Sequence, residues 1–335
     1  MVKSWLFDIF NYPYDSRPEG LDPELVQEEY DWHLETWAGA EELGYDGVFF
    51  SEHHFTAYNM SPSPNLLVSA VAQRTNTMHL GVMCNVTAFH NPRRLAEETA
   101  MLDYLTKGRL EVGLGRGSDD FEFRKEGFPL EDTRAWFEES LELMHKAWDQ
   151  PRFTHHGRFF DYEDASIYPR PKNPPRIWVT ALSPATITWA ASRGYRMAMS
   201  FLPSSGLAAM REAYNEAAAV AGHSTSPEQV AVLRNIFVAD TDEQARELAE
   251  PALDHVFRLF KDAAVPEDID HMAEGYEGYS SFFRPFVTEG GVTFGDCRTP
   301  GSSSSAHRGP CATSSSRRSR KSAVGTCSTG SPSDS

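Results

Sequence analysis

Short apolar runs alternate along the chain with segments in which apolar residues recur every three to four positions. That recurrence predicts an amphipathic helix, and a run of about four to eight apolar residues predicts a buried strand. The helical pattern is clearest in TRAWFEESLELMHKAWD, residues 133–149. Apolar runs predict seven strands, at residues 4–10, 47–51, 79–86, 108–115, 176–181, 195–201 and 230–240. Strands that are apolar on both faces and alternate with helices indicate a parallel sheet covered by helices.

The number of strand–helix units predicts a closed barrel. Seven units are too many for a single flavodoxin-like sheet, and no linker divides the chain near its middle. We therefore predict an α/β fold of the (β/α)8 TIM-barrel type, whose active site gathers at the carboxyl ends of the strands. The eighth strand and its helix should follow residue 296. Because nothing in the tail beyond it can serve as strand eight, we expect both elements to be missing or replaced by an aberrant tail.

The composition changes abruptly at Cys297. Serine dominates the tail, in which six basic residues stand against one acid, Asp334. Such a segment cannot bury enough apolar surface to offset the entropy that is lost on ordering. We predict a barrel domain over residues 1–296 and a disordered tail over 297–335. The tail is either a basic arm for an acidic partner or, as we favour, the out-of-frame translation of a GC-rich gene.

Charge and cysteine content exclude several classes of protein. The formal net charge of −17 argues against nucleic acid or an anionic membrane surface as the main partner. No apolar stretch reaches the roughly 18 residues of a membrane span, and Asp8 interrupts the only apolar run near the N-terminus. The four cysteines show no metal-ligand spacing. We expect a reduced, cytoplasmic protein.

The first candidate for chemistry is FFSEHHFTAY, residues 49–58, which follows the second predicted strand. A metal site would need further ligands, and the other histidines form no HxH or HExxH pattern. We therefore expect no metal. Two readings remain: Glu52 caps or forms an ion pair while His53 and His54 pack, or a histidine transfers protons, since imidazole titrates near neutral pH.

Two further segments together predict a phosphate site. In GLGRGSDDFEF, residues 113–123, glycines allow close backbone approach to a ligand and Arg116 supplies a fixed cation. In ALSPATITW, residues 181–189, Ser183 is placed as the N-cap of a helix, with its hydroxyl and that of Thr186 beside the first amides. The segments follow neighbouring strands, so the arginine could complete an anion site at the helix N-terminus.

These motifs also carry a resemblance to a known family. YDGVFFSEHHFTAY, HNPRRLAEETAMLDYLTKGRLEVGLGRG and ALSPATITWAASRG resemble, in order and spacing, the bacterial luciferase-like, flavin-dependent monooxygenases, from Ser4 to about Asp296. The resemblance implies a (β/α)8 barrel that binds reduced FMN from a separate NAD(P)H:flavin reductase. It further implies a flavin C4a-(hydro)peroxide formed with O2, which oxidises a small organic substrate. A homodimer through the helices of the second and third units is also implied.

The resemblance assigns roles to individual residues. His53 matches the active-site histidine, taken as a base near the flavin, and His54 a second histidine that is either catalytic or orients its neighbour. The matching cofactor-binding positions are Met83, Cys84, Arg116, Leu182, Ser183, Thr186 and Ser200. Family members often have a non-proline cis peptide at the positions of Met83 and Cys84. Gly115 and Leu182 stand where the light-emitting enzyme has a cysteine and a glutamate, so we do not expect bioluminescence.

The segment 262–291 resembles the family's mobile loop over the active site. Its aromatic residues, including Phe282, Phe283 and Phe286, would suit a lid that excludes water, or they pack onto the barrel as a surface excursion. Two alternative functions remain. One is hydride transfer by an F420-dependent oxidoreductase on the same barrel, which would consume no O2. The other is a flavin-binding protein without catalytic activity.

Overall fold

Seven parallel strands make up most of a closed barrel. The computed structural model describes residues 2–14, 17–180, 183–199, 204–265, 269–270, 276, 283–284, 287 and 325–329. The parallel strands are β1 (Lys3–Asp8), β2 (Gly47–Phe50), β3 (His79–Val86), β4 (Leu110–Gly115), β7 (Ile177–Thr180), β8 (Arg196–Met199) and β9 (Val230–Arg234). A two-stranded hairpin, β5 (Phe153–His156) and β6 (Asp161–Ala165), lies outside the barrel. All seven predicted strands are confirmed, several of them shorter than expected.

Eight helices are seen in the described part of the chain. They are α1 (Pro23–Gly39), α2 (Pro64–Ala72), α3 (Pro92–Leu105), α4 (Asp120–Glu126), α5 (Thr133–Asp149), α6 (Pro184–Ala191), α7 (Ser204–Val220) and α8 (Asp242–Ala264). Local capping explains where α1 begins: the Asp22 side chain accepts a hydrogen bond from the Glu24 amide, and Pro23 occupies the first helical position. None of these described helices is both long and apolar enough to cross a membrane.

The barrel closes in the order β1-β10-β9-β8-β7-β4-β3-β2, and β10 (Gly325–Thr329) comes from the serine-rich tail. The expected replacement of strand eight by the tail is thus confirmed, whereas the expectation that nothing in the tail could serve as a strand was wrong. A sheet ladder is made by backbone N–H and C=O groups and does not require apolar side chains. The new strand runs antiparallel to both β1 and β9, unlike the eighth strand of a regular (β/α)8 barrel.

Two apolar layers hold the barrel together. The outer layer lies between the strands and the helices, and it includes fully buried Trp37, Val48, Leu80 and Met144. The inner layer fills the barrel itself and contains Trp5, Phe49, Met83, Trp178 and Ala231. The interior is therefore packed rather than open, as expected for a barrel of this size.

A charged network forms the floor of the barrel, at the amino ends of the strands. The buried carboxylate of Glu111 accepts hydrogen bonds from Arg176 Nε at 2.7 Å, Arg196 Nη1 at 3.3 Å and Trp178 Nε1 at 2.7 Å. Its Oε1 also lies 3.0 Å from His79 Nδ1. Burial raises the pKa of Glu111, but the bond from His79 and the charges of the two arginines outweigh it and lower that pKa overall. The network joins residues at the amino ends of β3, β4, β7 and β8.

Candidate active site

The carboxyl ends of β3, β4 and β7 touch one another at the opposite end of the barrel, which we call the rim. Gly115, the last residue of β4, is so closely packed that a Cβ would lie 2.2 Å from Cys84 Sγ and 3.3 Å from Thr180 Oγ1. A larger side chain at this position would have to displace its neighbours. A cysteine at residue 115 would therefore have to move the side chain of Cys84.

The peptide bond between Met83 and Cys84 is cis, as the resemblance implied for this pair. The pairing register of β3 with β4 shifts between Val82 and Asn85, so the strand is irregular at this point. Burial raises the pKa of the Cys84 thiol to about 12, which keeps the sulfur protonated at neutral pH. The thiol is therefore a lining group rather than a nucleophile.

Glu52 fastens the loop after β2 to the end of β3. Its side chain is fully buried and accepts a hydrogen bond from the Val86 amide at 3.1 Å. Nε2 of His54 lies 3.1 Å from Oε1 of Glu52, and Nε2 of His90 lies 2.9 Å from the same oxygen. Burial raises the pKa of Glu52, but the bonds from His54 and His90 outweigh it and lower that pKa overall. Glu52 therefore lies at ion-pair distance from His54 and from His90, as one of the two readings of this motif expects.

His53 faces two other carboxylates. Its Nδ1 lies 3.0 Å from Asp119 Oδ2 and 3.4 Å from Glu122 Oε1. Both contacts are at ion-pair distance, and neither has the alignment of a hydrogen bond. Burial lowers the pKa of His53, but the negative charges of Asp119 and Glu122 outweigh it and raise that pKa to about 10. The imidazole is therefore protonated at neutral pH.

Asp119 and Glu122 reach His53 because α4 begins directly after β4. Asp119 is the residue before the helix and Glu122 its third residue, so both side chains lie on one face. Oε1 of Glu122 also accepts a 2.5 Å hydrogen bond from the His54 amide, which ties α4 to the loop after β2. Burial raises the pKa of Glu122.

These three side chains could in principle hold a metal ion. One potential ligand atom from each of His53, Asp119 and Glu122 lies within 4.8 Å of the others. A cation would have to displace the proton that the two carboxylates keep on His53. The expectation of no metal remains a prediction.

An apolar wall stands beside His53. The Tyr58 ring meets the imidazole edge to face, with ring centroids 5.2 Å apart. Tyr58 packs with Leu259 and Phe260 of α8, and Phe283 from the predicted lid lies 6.2 Å from the Phe260 ring. Phe282 and Phe286 lie outside the described residues. Burial raises the pKa of Tyr58, so the phenol stays neutral.

The predicted cap at the start of α6 is confirmed. Ser183 Oγ accepts a hydrogen bond from the Thr186 amide at 3.3 Å and lies 3.0 Å from the Thr186 hydroxyl. Two residues assigned to the same site, Leu182 and Ser200, lie outside the described residues. The helix N-terminus and its two hydroxyls provide donors for an anion.

Arg116 follows β4, the neighbour of the strand that leads to α6. Residues Leu114 and Val179 are paired across β4 and β7, so Arg116 and Ser183 leave adjacent strands at the same end. The guanidinium donates from Nη2 to Thr133 Oγ1 at 3.3 Å, and its Cζ lies 4.5 Å from the centre of the Tyr276 ring. The arginine is therefore held on the α5 side of the rim.

Sequence reasoning missed several residues that complete the rim, namely Tyr58, His90, Asp119, Glu122, Thr133 and Tyr276. A signal for the two acids was present: SDDFEF places them three positions apart at a helix start, directly after a strand. His90 also follows a strand. No local pattern distinguishes Tyr58, Thr133 or Tyr276 from other buried polar residues.

Residues 11–299 match the family described as luciferase-like monooxygenase. The chain is 32% identical over 205 residues to protein y4vJ of Sinorhizobium fredii, an alignment that covers 60% of this chain and 58% of that one. It is 28% identical over 285 residues to the alkanal monooxygenase alpha chain of Photobacterium leiognathi, covering 84% and 79%. It is 27% identical to the oxygenase component of the flavin-dependent trigonelline monooxygenase of Acinetobacter baylyi, an alignment that covers 67% of this chain and 64% of that one.

Solved structures give the same result for the fold. Monooxygenase RslO1 of Streptomyces bottropensis superposes with a TM-score of 0.71 at 27% identity, covering 78% of this chain and 79% of that one. The oxygenating constituent of 3,6-diketocamphane monooxygenase of Pseudomonas putida, in complex with FMN, superposes with a TM-score of 0.67 at 23% identity. The superposition covers 78% of this chain and 76% of that one. An F420-dependent secondary alcohol dehydrogenase superposes with a TM-score of 0.60 at 20% identity, covering 75% of this chain and 76% of that one. At this identity the likeness shows a shared fold alone.

Proposed function

Because the chain belongs to the luciferase-like monooxygenase family and is a flavin-dependent monooxygenase, we propose that it oxidises a small organic substrate with O2 and reduced FMN. The flavin comes from a separate NAD(P)H:flavin reductase. The relative named as an oxygenase component supports this division of labour. Reduced FMN, when bound, supplies the electrons that activate O2.

One observation supports the proposal: the donor groups of the proposed anion site and the imidazole of His53 lie at the same end of one barrel. Ser183 and Thr186 follow β7 with α6, Arg116 follows β4, and His53 follows β2. The donor chemistry fits a phosphate, because a helix N-terminus, two hydroxyls and a guanidinium all favour a dianion. The Met83–Cys84 strand between them would face the flavin ring.

In this proposal His53 acts first as a proton donor rather than as a base. Asp119 and Glu122 keep the imidazole protonated, so it can donate to oxygen atoms of the flavin–substrate complex. The apolar wall around Tyr58 would exclude water from this position. His54 and Glu52 then serve to hold the loop that carries His53.

A matched flavin titration tests the proposal. Reduced FMN and reduced riboflavin are titrated anaerobically into the wild-type protein and into Arg116→Ala, with Arg193→Ala, at the far end of α6, as the control. We expect the wild type and the control to bind FMN more tightly than riboflavin, and Arg116→Ala to lose about tenfold in FMN affinity alone. Equal affinity of the wild type for the two flavins would contradict the phosphate site.

The same sample separates the alternatives when O2 and a set of aldehydes and ketones are admitted. A monooxygenase consumes O2 in proportion to the oxidised substrate. Substrate reduction with reduced F420 and no O2 uptake would instead support the hydride-transfer enzyme. A protein that binds reduced flavin but shows neither O2-dependent substrate oxidation nor substrate reduction would be the flavin-binding protein without catalytic activity.

We also propose a homodimer through α2 and α3. Leu66 on α2 and Met101 and Tyr104 on α3 are large apolar residues that are 71%, 51% and 51% exposed. A second copy would cover them, as exposed apolar patches of this kind favour association. Sedimentation equilibrium checks this, and Met101→Glu should shift the protein to a monomer. A monomeric wild type would refute it.

A further inference from the structure

Tyr276 is held against the arginine of the proposed phosphate site, although it lies about 160 positions further along the chain. The residue is 2% exposed. The centre of its ring lies 4.5 Å from Cζ of Arg116, a distance at which the ring quadrupole attracts a cation. Tyr276 belongs to the segment 262–291 that is predicted to act as a lid, and its own side chain lies at the rim.

A hydroxyl shared by both residues fixes their orientation. The phenol oxygen of Tyr276 lies 3.0 Å from Thr133 Oγ1 and 3.3 Å from the Gly117 carbonyl. Arg116 donates to the same Thr133 oxygen at 3.3 Å. Thr133 in turn donates its own proton to the Leu130 carbonyl at 2.7 Å, which leaves its oxygen to accept from the other two. Ring, guanidinium and hydroxyl thus form a closed set of contacts.

The form of the contact argues that Tyr276 orients the arginine and does not block it. An aromatic ring attracts a guanidinium without neutralising its charge, as a carboxylate partner would. The positive charge that remains favours a phosphate. An arginine ordered in advance loses less side-chain entropy when the anion arrives.

We propose that Tyr276 is a positioning residue for the phosphate of the flavin, acting through Arg116 and Thr133. The inference rests on the proposed function, because it needs a flavin phosphate at Arg116. It assigns to Tyr276 a part in selecting phosphorylated over unphosphorylated flavin. A residue with this role affects FMN and leaves riboflavin binding nearly unchanged.

Two substitutions separate the contributions of the ring and the hydroxyl. Tyr276→Leu removes both, and Tyr276→Phe keeps the ring near the guanidinium while it removes the bond to Thr133. Tyr214→Phe is the matched control, since this buried phenol on α7 donates to the Tyr195 carbonyl at 2.7 Å. Dissociation constants for reduced FMN and reduced riboflavin are measured anaerobically, and circular dichroism establishes that each variant is folded.

We expect Tyr276→Leu to weaken the binding of reduced FMN about tenfold and that of reduced riboflavin less than about twofold. Tyr276→Phe should weaken the binding of reduced FMN about threefold. Tyr214→Phe should change neither value. A gain in FMN affinity would show that the ring covers the site, and equal losses for both flavins would show a purely structural role; either result overturns the inference. If the wild type does not distinguish the flavins, the proposed phosphate site itself fails.

Discussion

The two ends of the barrel both bury carboxylates beside cationic side chains, but they balance the charge differently. At the floor, one carboxylate, Glu111, is surrounded by Arg176, Arg196 and His79, with an indole N–H as a further donor. Arginine is charged at every pH at which the protein is folded. The two arginines therefore keep the floor carboxylate paired over this whole pH range.

At the rim, three buried carboxylates lie beside histidines. Asp119 and Glu122 approach the single Nδ1 atom of His53, and Glu52 is shared by two further imidazoles. A histidine is charged only while it is protonated, so the balance at the rim changes with pH. The difference teaches where chemistry is possible: the rim can exchange a proton, whereas the floor can only hold the strands together.

The largest expected effect is on the floor and concerns stability. Glu111→Ala leaves two arginines without their buried counter-charge, and we expect a loss of about 3 kcal/mol in the free energy of unfolding. Urea denaturation measures it, with Glu131→Ala, an exposed glutamate, as the control that should change stability by less than about 0.5 kcal/mol. An unchanged midpoint for Glu111→Ala would mean that the floor does not stabilise the barrel.

At the rim we expect the main effect on activity. His53→Gln retains a hydrogen-bond donor but cannot transfer a proton, so turnover of the best aldehyde or ketone substrate should fall about 100-fold. The affinity for reduced FMN should stay within about twofold. His156→Gln, an exposed imidazole beside Asp161 on the hairpin, is the control. A parallel loss of FMN affinity would make His53 a structural residue.

The comparison becomes sharper when the pH is varied. The pKa of His53 is raised from 6.5 to about 10, so its ion pairs contribute their full stability below pH 6.5 and lose it as the pH rises through about 10. Turnover that needs the protonated imidazole should fall over the upper part of this range. Asp119→Asn removes the largest cause that raises this pKa and should move the fall to lower pH.

The pH profile of turnover tests that expectation. Asp120→Asn, which changes the neighbouring carboxylate that pairs with Arg124, is the control and should leave the profile in place. A fall at the same pH in Asp119→Asn and in the wild type would mean that another group controls turnover.

Much of the fold could be predicted because its causes are local. Apolar runs and helical periods depend on neighbouring residues, and Asp22 and Ser183 cap helices by bonds that span only two or three positions. The rim could be predicted as well, since polar motifs that follow parallel strands must meet at one end of the barrel. The assignment of Glu52, His53 and His54 to that end depended on nothing more.

The missing part of the prediction consists of contacts between distant segments. The bond from the His54 amide to Glu122 joins residues 68 positions apart, and that from Tyr276 to Thr133 joins residues 143 positions apart. The pairing of β10 with β1 and β9 depends on the backbone and leaves no mark in the side-chain pattern. Glu111 was overlooked because a lone acid inside an apolar strand reveals nothing of its partners.

The smallest expected effect separates the two histidines of the rim. His54 contacts Glu52. When that contact is lost, Glu52 still accepts a hydrogen bond from the Val86 amide and still contacts His90. His54→Gln should therefore reduce turnover by less than about fivefold and leave the pH profile in the shape set by His53. Turnover and its pH dependence are measured beside His53→Gln. A loss as large as that of His53→Gln would make His54 a catalytic residue, and the rim would then hold two proton-transfer groups in place of one.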